Sequence, residues 1–125
     1  MSRKILVVDD EKRIADTLVA VLSQAGYRVW SAYSGPAALQ KASELAPDLL
    51  IADVVMPEMN GVALAVAMQK LLPFCRILLL SGQVVSEEIT MQASAQGHSF
   101  ELLAKPLHPR DLLAKLAAIF PQEPS

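Results

Sequence analysis

Residues 5–11 are Ile5-Leu6-Val7-Val8-Asp9-Asp10-Glu11, four aliphatic side chains followed at once by three acids. An unbroken apolar run of this kind is typical of a strand covered on both faces in a parallel sheet, whereas a strand with one solvated face alternates apolar and polar residues. Residues 5–8 are therefore predicted to form a central strand, with the three acids at its carboxyl end.

Similar apolar runs recur along the chain and predict four more strands. The first of them is mixed in character, with Arg28 and Trp30, and suits the edge of a sheet. The predicted strands are residues 27–32, 49–52, 77–80 and 100–104.

The segments between these strands carry apolar residues at helical spacing. Gly26 and Pro73 are placed to end two helices, while Ser34-Gly35-Pro36 and Pro109 suit the first turns of two others. Ser86 can cap a weaker helix that reaches Ala95. The four clearer apolar stripes are Ile14, Leu18, Val21, Leu22 and Ala25; Ala38, Ala42 and Leu45; Leu64, Ala67, Met68 and Leu71; and Leu112, Leu116 and Ile119.

This alternation predicts an α/β fold, a (βα)5 doubly wound parallel sheet with right-handed crossovers and helices on both faces. Five strands suggest the flavodoxin-like order 2-1-3-4-5. In such sheets ligands bind outside the carboxyl ends of the strands, at the switch point between the first and third strands. The residues that follow these two strands are therefore the first candidates for a functional site.

The length and composition suit one compact domain. The 125 residues are predicted to form a single domain over residues 1–120, followed by a tail or linker stub at residues 121–125. The 53% apolar content supports a core, but the apolar runs are far shorter than the roughly 18 residues that span a bilayer. The N-terminus lacks the features of a signal peptide, so no membrane partner and a cytoplasmic location are expected.

The charges and the cysteine argue against two further classes of protein. The net charge is −2 and the basic residues are scattered, so direct binding of nucleic acid by this domain is not expected. Cys75 is the single cysteine of the chain, so it cannot form an internal disulfide. It is predicted to be a small core residue.

Acidic residues gather where the sheet is predicted to bind its ligand. Asp9 and Asp10 follow the first strand and Asp53 follows the third. Two carboxylates about 4 Å apart repel by about 4 kcal/mol at an effective dielectric constant near 20, so such a cluster needs a cation or a raised pKa. Mg²⁺ is the expected cofactor because it prefers hard oxygen ligands.

Ser81 and Lys105 follow the fourth and fifth strands and bring a hydroxyl and an ammonium to the same edge. Together with a metal they can hold a phosphoryl group, because phosphoryl transfer is catalysed mainly by positioning and by neutralising the equatorial oxygens. Asp53 is then the nucleophile and forms an acyl phosphate.

Each of these residues also has a purely structural interpretation. Asp53 could form a turn or cap a helix, and Asp9 and Asp10 could cap the first helix. Ser81 could be a turn hydroxyl and Lys105 a solvated surface charge. The chemical interpretation is favoured by the conjunction, since all four sites fall at the carboxyl ends of strands.

Four motifs carry these residues: Val7-Val8-Asp9-Asp10-Glu11; Asp53 with Met56-Pro57-Glu58-Met59-Asn60-Gly61; Leu80-Ser81-Gly82; and Lys105-Pro106. Over nearly the whole chain they resemble the receiver domains of two-component response regulators. The resemblance implies that Asp53 accepts a phosphoryl group from a histidine kinase, a phosphotransfer protein or a small phosphodonor. It also implies a switch in the loop and helix after Ser81, read by an unknown downstream protein or fused output domain.

The resemblance assigns roles to individual residues. It implies that Asp10 binds Mg²⁺ directly, that Asp9 acts through water and that the backbone carbonyl of Val55 completes the protein's share of the metal site. Lys105 is implied to pair with one phosphoryl oxygen and Ser81 to hydrogen-bond another. The chain would then be a signalling phosphoacceptor rather than an enzyme, with only self-directed phosphotransfer and autodephosphorylation.

The sequence departs from the family pattern at two positions. Receivers commonly have Tyr or Phe three residues before the lysine, where this chain has Leu102, with Phe100 two residues earlier. Gly97 also lies one residue further from Lys105 than the usual glycine, which suggests a longer turn before the fifth strand.

Three other functions share parts of this pattern. A flavodoxin-like FMN binder would need a phosphate loop after the first strand, where the acids would repel a phosphate. A phosphatase with an aspartyl nucleophile would be expected to show Asp-x-Asp there. The stronger rival is a receiver-like interaction module that acts without phosphorylation, although every motif residue needed for the chemistry is present.

Overall fold

The computed structural model describes residues 3–56, 59–81, 100–105 and 107–120. Within these residues, strands and helices alternate in the predicted order. The elements are β1 (Lys4–Val8), α1 (Lys12–Gln24), β2 (Arg28–Ala32), α2 (Gly35–Leu45), β3 (Leu49–Asp53), α3 (Gly61–Leu71), β4 (Arg76–Ser81), β5 (Glu101–Ala104) and α4 (Pro109–Ile119).

The five strands form one parallel sheet in the order β2-β1-β3-β4-β5, which confirms the predicted fold class and strand order. The mixed strand β2 lies at one edge, as its Arg28 and Trp30 indicated. The central strands β1, β3 and β4 are almost wholly buried, since helices cover both faces of the sheet.

Two separate cores lie on the two faces, and alternate strand residues supply them. On one face, Leu6, Leu50 and Leu79 pack with the buried side chains of α2 and α3. On the other, Ile51 and Leu78 pack with the buried side chains of α1 and α4. The sheet is therefore held between two helical layers, which fixes the carboxyl ends of its strands as one rigid edge.

Most helix boundaries follow the sequence signals. Ser34 caps α2 by accepting a hydrogen bond from the Ala37 amide, and Pro109 occupies the first turn of α4. Gly26 follows α1 with φ 102°, a left-handed conformation that a side chain would strain. Cys75 is buried, as predicted.

The predicted apolar face of α3 was partly wrong. The buried face is Gly61, Leu64, Ala65 and Met68, whereas Leu71 is 44% exposed. The helix is apolar on nearly every side, so periodicity alone does not define which stripe faces the sheet. The strands β1, β3 and β4 run one or two residues further than predicted, whereas β2 and β5 each begin one residue later than predicted. Both Asp53 and Ser81 are the last residues of their strands.

The weak helix predicted from Ser86 to Ala95, the departure at Gly97 and the tail at residues 121–125 lie outside the described residues. In the portion of the chain that is described, no helix has the length and apolar character needed to cross a bilayer.

Candidate functional site

The register of the sheet brings Asp9 and Asp53 to the same level. Val8 pairs with Ala52 on the neighbouring strand, so Asp9 and Asp53 are the next residues on each side. The amide of Asp9 donates to the carbonyl of Ala32 on the other neighbour, at 3.2 Å. The start of the β1–α1 connection is therefore held at the switch point of the sheet. There, β1 leads to a helix in one layer and β3 leads to a helix in the other.

Asp9, Asp10 and Asp53 form one carboxylate cluster. Each offers an oxygen, and these oxygens lie within 4.8 Å of one another. The three side chains differ in exposure: Asp9 is buried, Asp53 is half-buried and Asp10 is exposed. The cluster is therefore open to solvent on the side of Asp10 and closed beneath Asp9.

The Asp9 carboxylate is the most constrained member of the cluster. Its Oδ1 accepts the amide of Glu11 at 2.9 Å, and its Oδ2 is buried without a hydrogen bond to any described residue. Burial raises the pKa of the Asp9 carboxyl above its usual value, and the charge of Asp53 raises it further, against the opposing hydrogen bond from Glu11. An ionised Asp9 thus lacks a partner for one oxygen.

These features fit a divalent cation. Three carboxylates with one unpaired buried oxygen present the hard oxygen donors that Mg²⁺ prefers, and the exposed side leaves room for the waters that this ion retains. Asp9, Asp10 and Asp53 are the residues that could hold it. Asp9 and Asp10 could alternatively have capped α1, but the N-cap residue of this helix is Glu11, and no side chain caps it. Asp9 forms only a local turn ahead of the helix.

Lys105 lies on the other side of Asp53. Its Nζ donates to Asp53 Oδ2 at 2.8 Å, with side-chain exposures of 35% for the lysine and 13% for the aspartate. The Lys105 amide donates to the carbonyl of Ser81 at 2.8 Å, so the backbone beyond β5 stays aligned with β4. The ammonium is therefore anchored to the same sheet as the carboxylate that it contacts.

The strand ends also position the remaining candidates. Asp53 pairs with Leu80, so Ser81 comes one residue further along the neighbouring strand, where it is buried. Val55 is 68% exposed two residues after Asp53, and its amide donates to Asp53 Oδ1 at 3.3 Å. Leu102, which replaces the usual aromatic residue, packs partly buried against the core shared with α2 and α3.

A close contact beneath Asp53 was not anticipated from the sequence. The Gly61 amide donates to the carbonyl of Val54 at 2.8 Å, and a Cβ at Gly61 would lie 2.5 Å from the carbonyl oxygen of Asp53. Asn60 caps α3 by accepting the Ala63 amide at 2.8 Å. The adjacent Asn60 and Gly61 were a usable signal, since a cap followed by a residue without a side chain indicates close backbone approach.

The molecule is an α/β module with a doubly wound parallel sheet, and its clustered aspartates and lysine lie at the carboxyl edge where such sheets bind their ligands. The comparison with known families agrees with this. The family described as the response regulator receiver domain matches residues 5–117. The chain belongs to the response regulator receiver domain family of two-component systems, whose members are signalling phosphoacceptors that typically use Mg²⁺.

Curated relatives include two bacterial transcriptional regulators. The chain is 34% identical over 119 residues to the alkaline phosphatase synthesis transcriptional regulatory protein PhoP of Bacillus subtilis, covering 95% of this chain and 49% of PhoP. It is also 34% identical over 113 residues to the transcriptional regulatory protein CreB of Escherichia coli, covering 90% and 48% of the two chains. The chain thus spans about half the length of these relatives.

Solved structures show the same fold. The chemotaxis protein CheY4 of Vibrio cholerae is 36% identical with a TM-score of 0.83, covering 95% of this chain and 99% of that one. A CheY-like response regulator receiver domain protein of Methanospirillum hungatei is 27% identical with a TM-score of 0.84, covering 98% and 96%.

Proposed function

We propose that the chain accepts a phosphoryl group on Asp53 from a histidine kinase, a phosphotransfer protein or a small phosphodonor. The observation that carries this is the double contact of Asp53, which shares a carboxylate cluster with Asp9 and Asp10 and receives a hydrogen bond from Lys105. A carboxylate so placed has cationic neighbours available on two sides once a metal is bound.

In the reaction, an oxygen of the Asp53 carboxylate attacks phosphorus as the bond from phosphorus to the donor's nitrogen or oxygen breaks. The product is an acyl phosphate on Asp53 and the free leaving group of the donor. Lys105 holds its ammonium beside the developing charge of the phosphoryl oxygens, which is where electrostatic stabilisation has its largest effect.

The metal site would consist of Asp9, Asp10, Asp53 and the backbone carbonyl of Val55. Bound Mg²⁺ supplies charge neutralisation for the phosphoryl oxygens. The unpaired Oδ2 of Asp9 and the exposed side chain of Asp10 support this set. Their part is to hold the cation beside Asp53 and to relieve the repulsion within the cluster.

Phosphorylation would act as a switch on the surface around the site. It adds about −1.5 to −2 charges and three strong acceptor oxygens. The hydroxyl of Ser81, at the end of the neighbouring strand, would donate to one of these oxygens and draw the following segment toward the site. A partner that prefers one arrangement then reads the phosphorylation state.

The partners follow from this role. We propose residues 1–120 as the receiver unit, with residues 121–125 as a tail or linker, acting in the cytoplasm on a downstream protein or a fused output domain. PhoP and CreB, which match over about half their length, are described as transcriptional regulators. Direct nucleic-acid binding is not assigned to this domain, because its net charge is −2.

Intact-mass spectrometry tests the proposal. Incubation with acetyl phosphate and Mg²⁺ is expected to add about 80 Da to the chain. Asp53→Asn abolishes the gain, whereas the same change at Asp111, an exposed residue in the first turn of α4, leaves it intact. An unmodified mass, under conditions that label a control receiver, would instead favour an interaction module that acts without phosphorylation.

A further inference from the structure

A cavity of about 370 Å³ opens beside Lys105, between α1 and the connection that leads from β5 to α4. Ile14, Leu18 and Val21 form its wall on α1, and Leu107 lies on the opposite side. Its described walls are almost entirely aliphatic, whereas the neighbouring cluster consists of carboxylates. It has more than twice the roughly 150 Å³ that holds a benzene ring, so a body of two fused rings fits.

Among the residues that the structure describes, two charged side chains line this cavity, and both are cationic. Arg13 and Lys105 line it, with the hydroxyl of Thr17 as the other polar side chain, and no acid is among the described residues that line it. Thr17 donates to the carbonyl of Arg13 at 2.8 Å, while the Arg13 guanidinium makes no ion pair with any residue in the described part of the chain. The aliphatic walls and the two cationic residues among the lining together suit an amphiphilic anion.

We propose that this cavity binds a small amphiphilic anion, a body of one or two rings that carries a single carboxylate or sulfonate, and that the bound anion regulates Asp53 through Lys105. The apolar body lies between α1 and Leu107, and the anionic group lies between Arg13 and Lys105. Because the same ammonium donates to Asp53 at 2.8 Å, an anion in the cavity competes with Asp53 for it. The regulatory half of this inference rests on the proposed function.

Nuclear magnetic resonance titration of the full chain with 2-naphthoate tests binding directly. Saturable shifts confined to α1 and the residues around Leu107 are expected, with a dissociation constant on the order of 1 mM or below. The uncharged 2-naphthamide is expected to bind at least about threefold more weakly, because it gains nothing from the two cations. Equal affinities would overturn the assignment of an anion.

Two variants and one control locate the site. Val21→Trp fills the cavity and is expected to abolish the shifts, whereas Arg13→Gln weakens 2-naphthoate at least about threefold and leaves 2-naphthamide unchanged. Arg28→Gln removes an exposed arginine on β2 and changes neither affinity. Binding that survives Val21→Trp, or that Arg28→Gln weakens equally, would show adventitious association and overturn the proposal.

Phosphorylation from acetyl phosphate tests the regulatory half. Saturating 2-naphthoate is expected to change the rate at least about twofold in the wild type and not in Val21→Trp. If 2-naphthoate binds but the phosphorylation rate does not change, the regulatory half of the proposal is overturned and the binding half stands. If the chain is not phosphorylated even without 2-naphthoate, the proposed function is overturned, while the binding result stands. If 2-naphthoate does not bind, the proposal is overturned. If Val21→Trp then slows phosphoryl transfer from a kinase but not from acetyl phosphate, the cavity receives a side chain of the donor protein instead.

Discussion

Replacing Gly61 with alanine is expected to displace Asp53, the proposed phosphoacceptor. The added Cβ would lie 2.5 Å from the Asp53 carbonyl oxygen and 2.8 Å from the Val54 Cα, whereas ordinary contact begins at 3.4 Å. Both neighbours are backbone atoms, so the contact cannot be relieved by a change of side-chain rotamer. The end of β3 must retreat from the first turn of α3 by about 0.9 Å to restore ordinary contact at the oxygen, since overpacked sites relax by backbone shifts.

This displacement sets the expected magnitude. A reacting group misplaced by about 1 Å can lose about 100-fold in rate, so Gly61→Ala should slow phosphorylation from acetyl phosphate by about 10- to 100-fold. Its stability should fall by about 1–3 kcal/mol, although alanine is the better helix former. Mass spectrometry at timed intervals measures the rate, and urea unfolding measures the stability.

Gly35 provides the matched control. A Cβ there would meet the Met59 side chain at 2.8 Å from Sδ and 2.9 Å from Cβ, and its three nearest neighbours are all atoms of that side chain. Gly35→Ala should therefore cost stability while keeping the rate within about twofold, since the crowded atoms belong to one side chain. A wild-type rate in folded Gly61→Ala, or an equal loss in both variants, would refute the argument that Gly61 positions Asp53.

Three further experiments test the electrostatics of the site and the burial of the core thiol. Without divalent cations, Asp9→Asn should raise the free energy of unfolding by about 1–3 kcal/mol. This gain should grow as the pH rises through the raised pKa of the wild-type Asp9 carboxyl. Asp10 is exposed, so Asp10→Asn should change the free energy of unfolding by less than about 0.5 kcal/mol. Urea titration measures both, and equal effects would contradict the burial argument. Lys105→Ala should tighten Mg²⁺ binding by about three- to tenfold in calorimetry, because the ammonium competes with the ion for Asp53; unchanged or weaker binding would refute the competition. Burial raises the pKa of the Cys75 thiol to about 12, so iodoacetamide at pH 8 should alkylate the folded chain at least about 100-fold more slowly than the urea-unfolded chain, and similar rates would show that the thiol is accessible.

The central strands could be predicted because an unbroken apolar run suits a strand that is buried on both faces. Runs such as residues 5–8 and 49–52 are buried on both faces, so they are apolar throughout and bounded by charged residues. The exposed face of α3 could not be predicted. It is apolar on nearly all sides, and only tertiary packing decides that Met68 is buried while Leu71 is exposed.

The candidate site divides in the same way. The convergence of Asp9 and Asp53 follows from strand order, which the alternation of elements predicts. The 2.8 Å contact between Lys105 and Asp53 depends on side-chain conformations, and the approach of Gly61 depends on how closely α3 enters the sheet edge. Neither leaves a periodic pattern in the sequence.

The most direct measurement locates the phosphoryl group itself. After reaction with acetyl phosphate and Mg²⁺, borohydride reduction of an acyl phosphate leaves homoserine in place of the modified aspartate, and tandem mass spectrometry identifies the position. We expect homoserine at position 53 alone, and none when a chelator replaces Mg²⁺. Homoserine at another aspartate, or labelling of Asp53 that persists in the chelator, would contradict a metal-assisted transfer to Asp53.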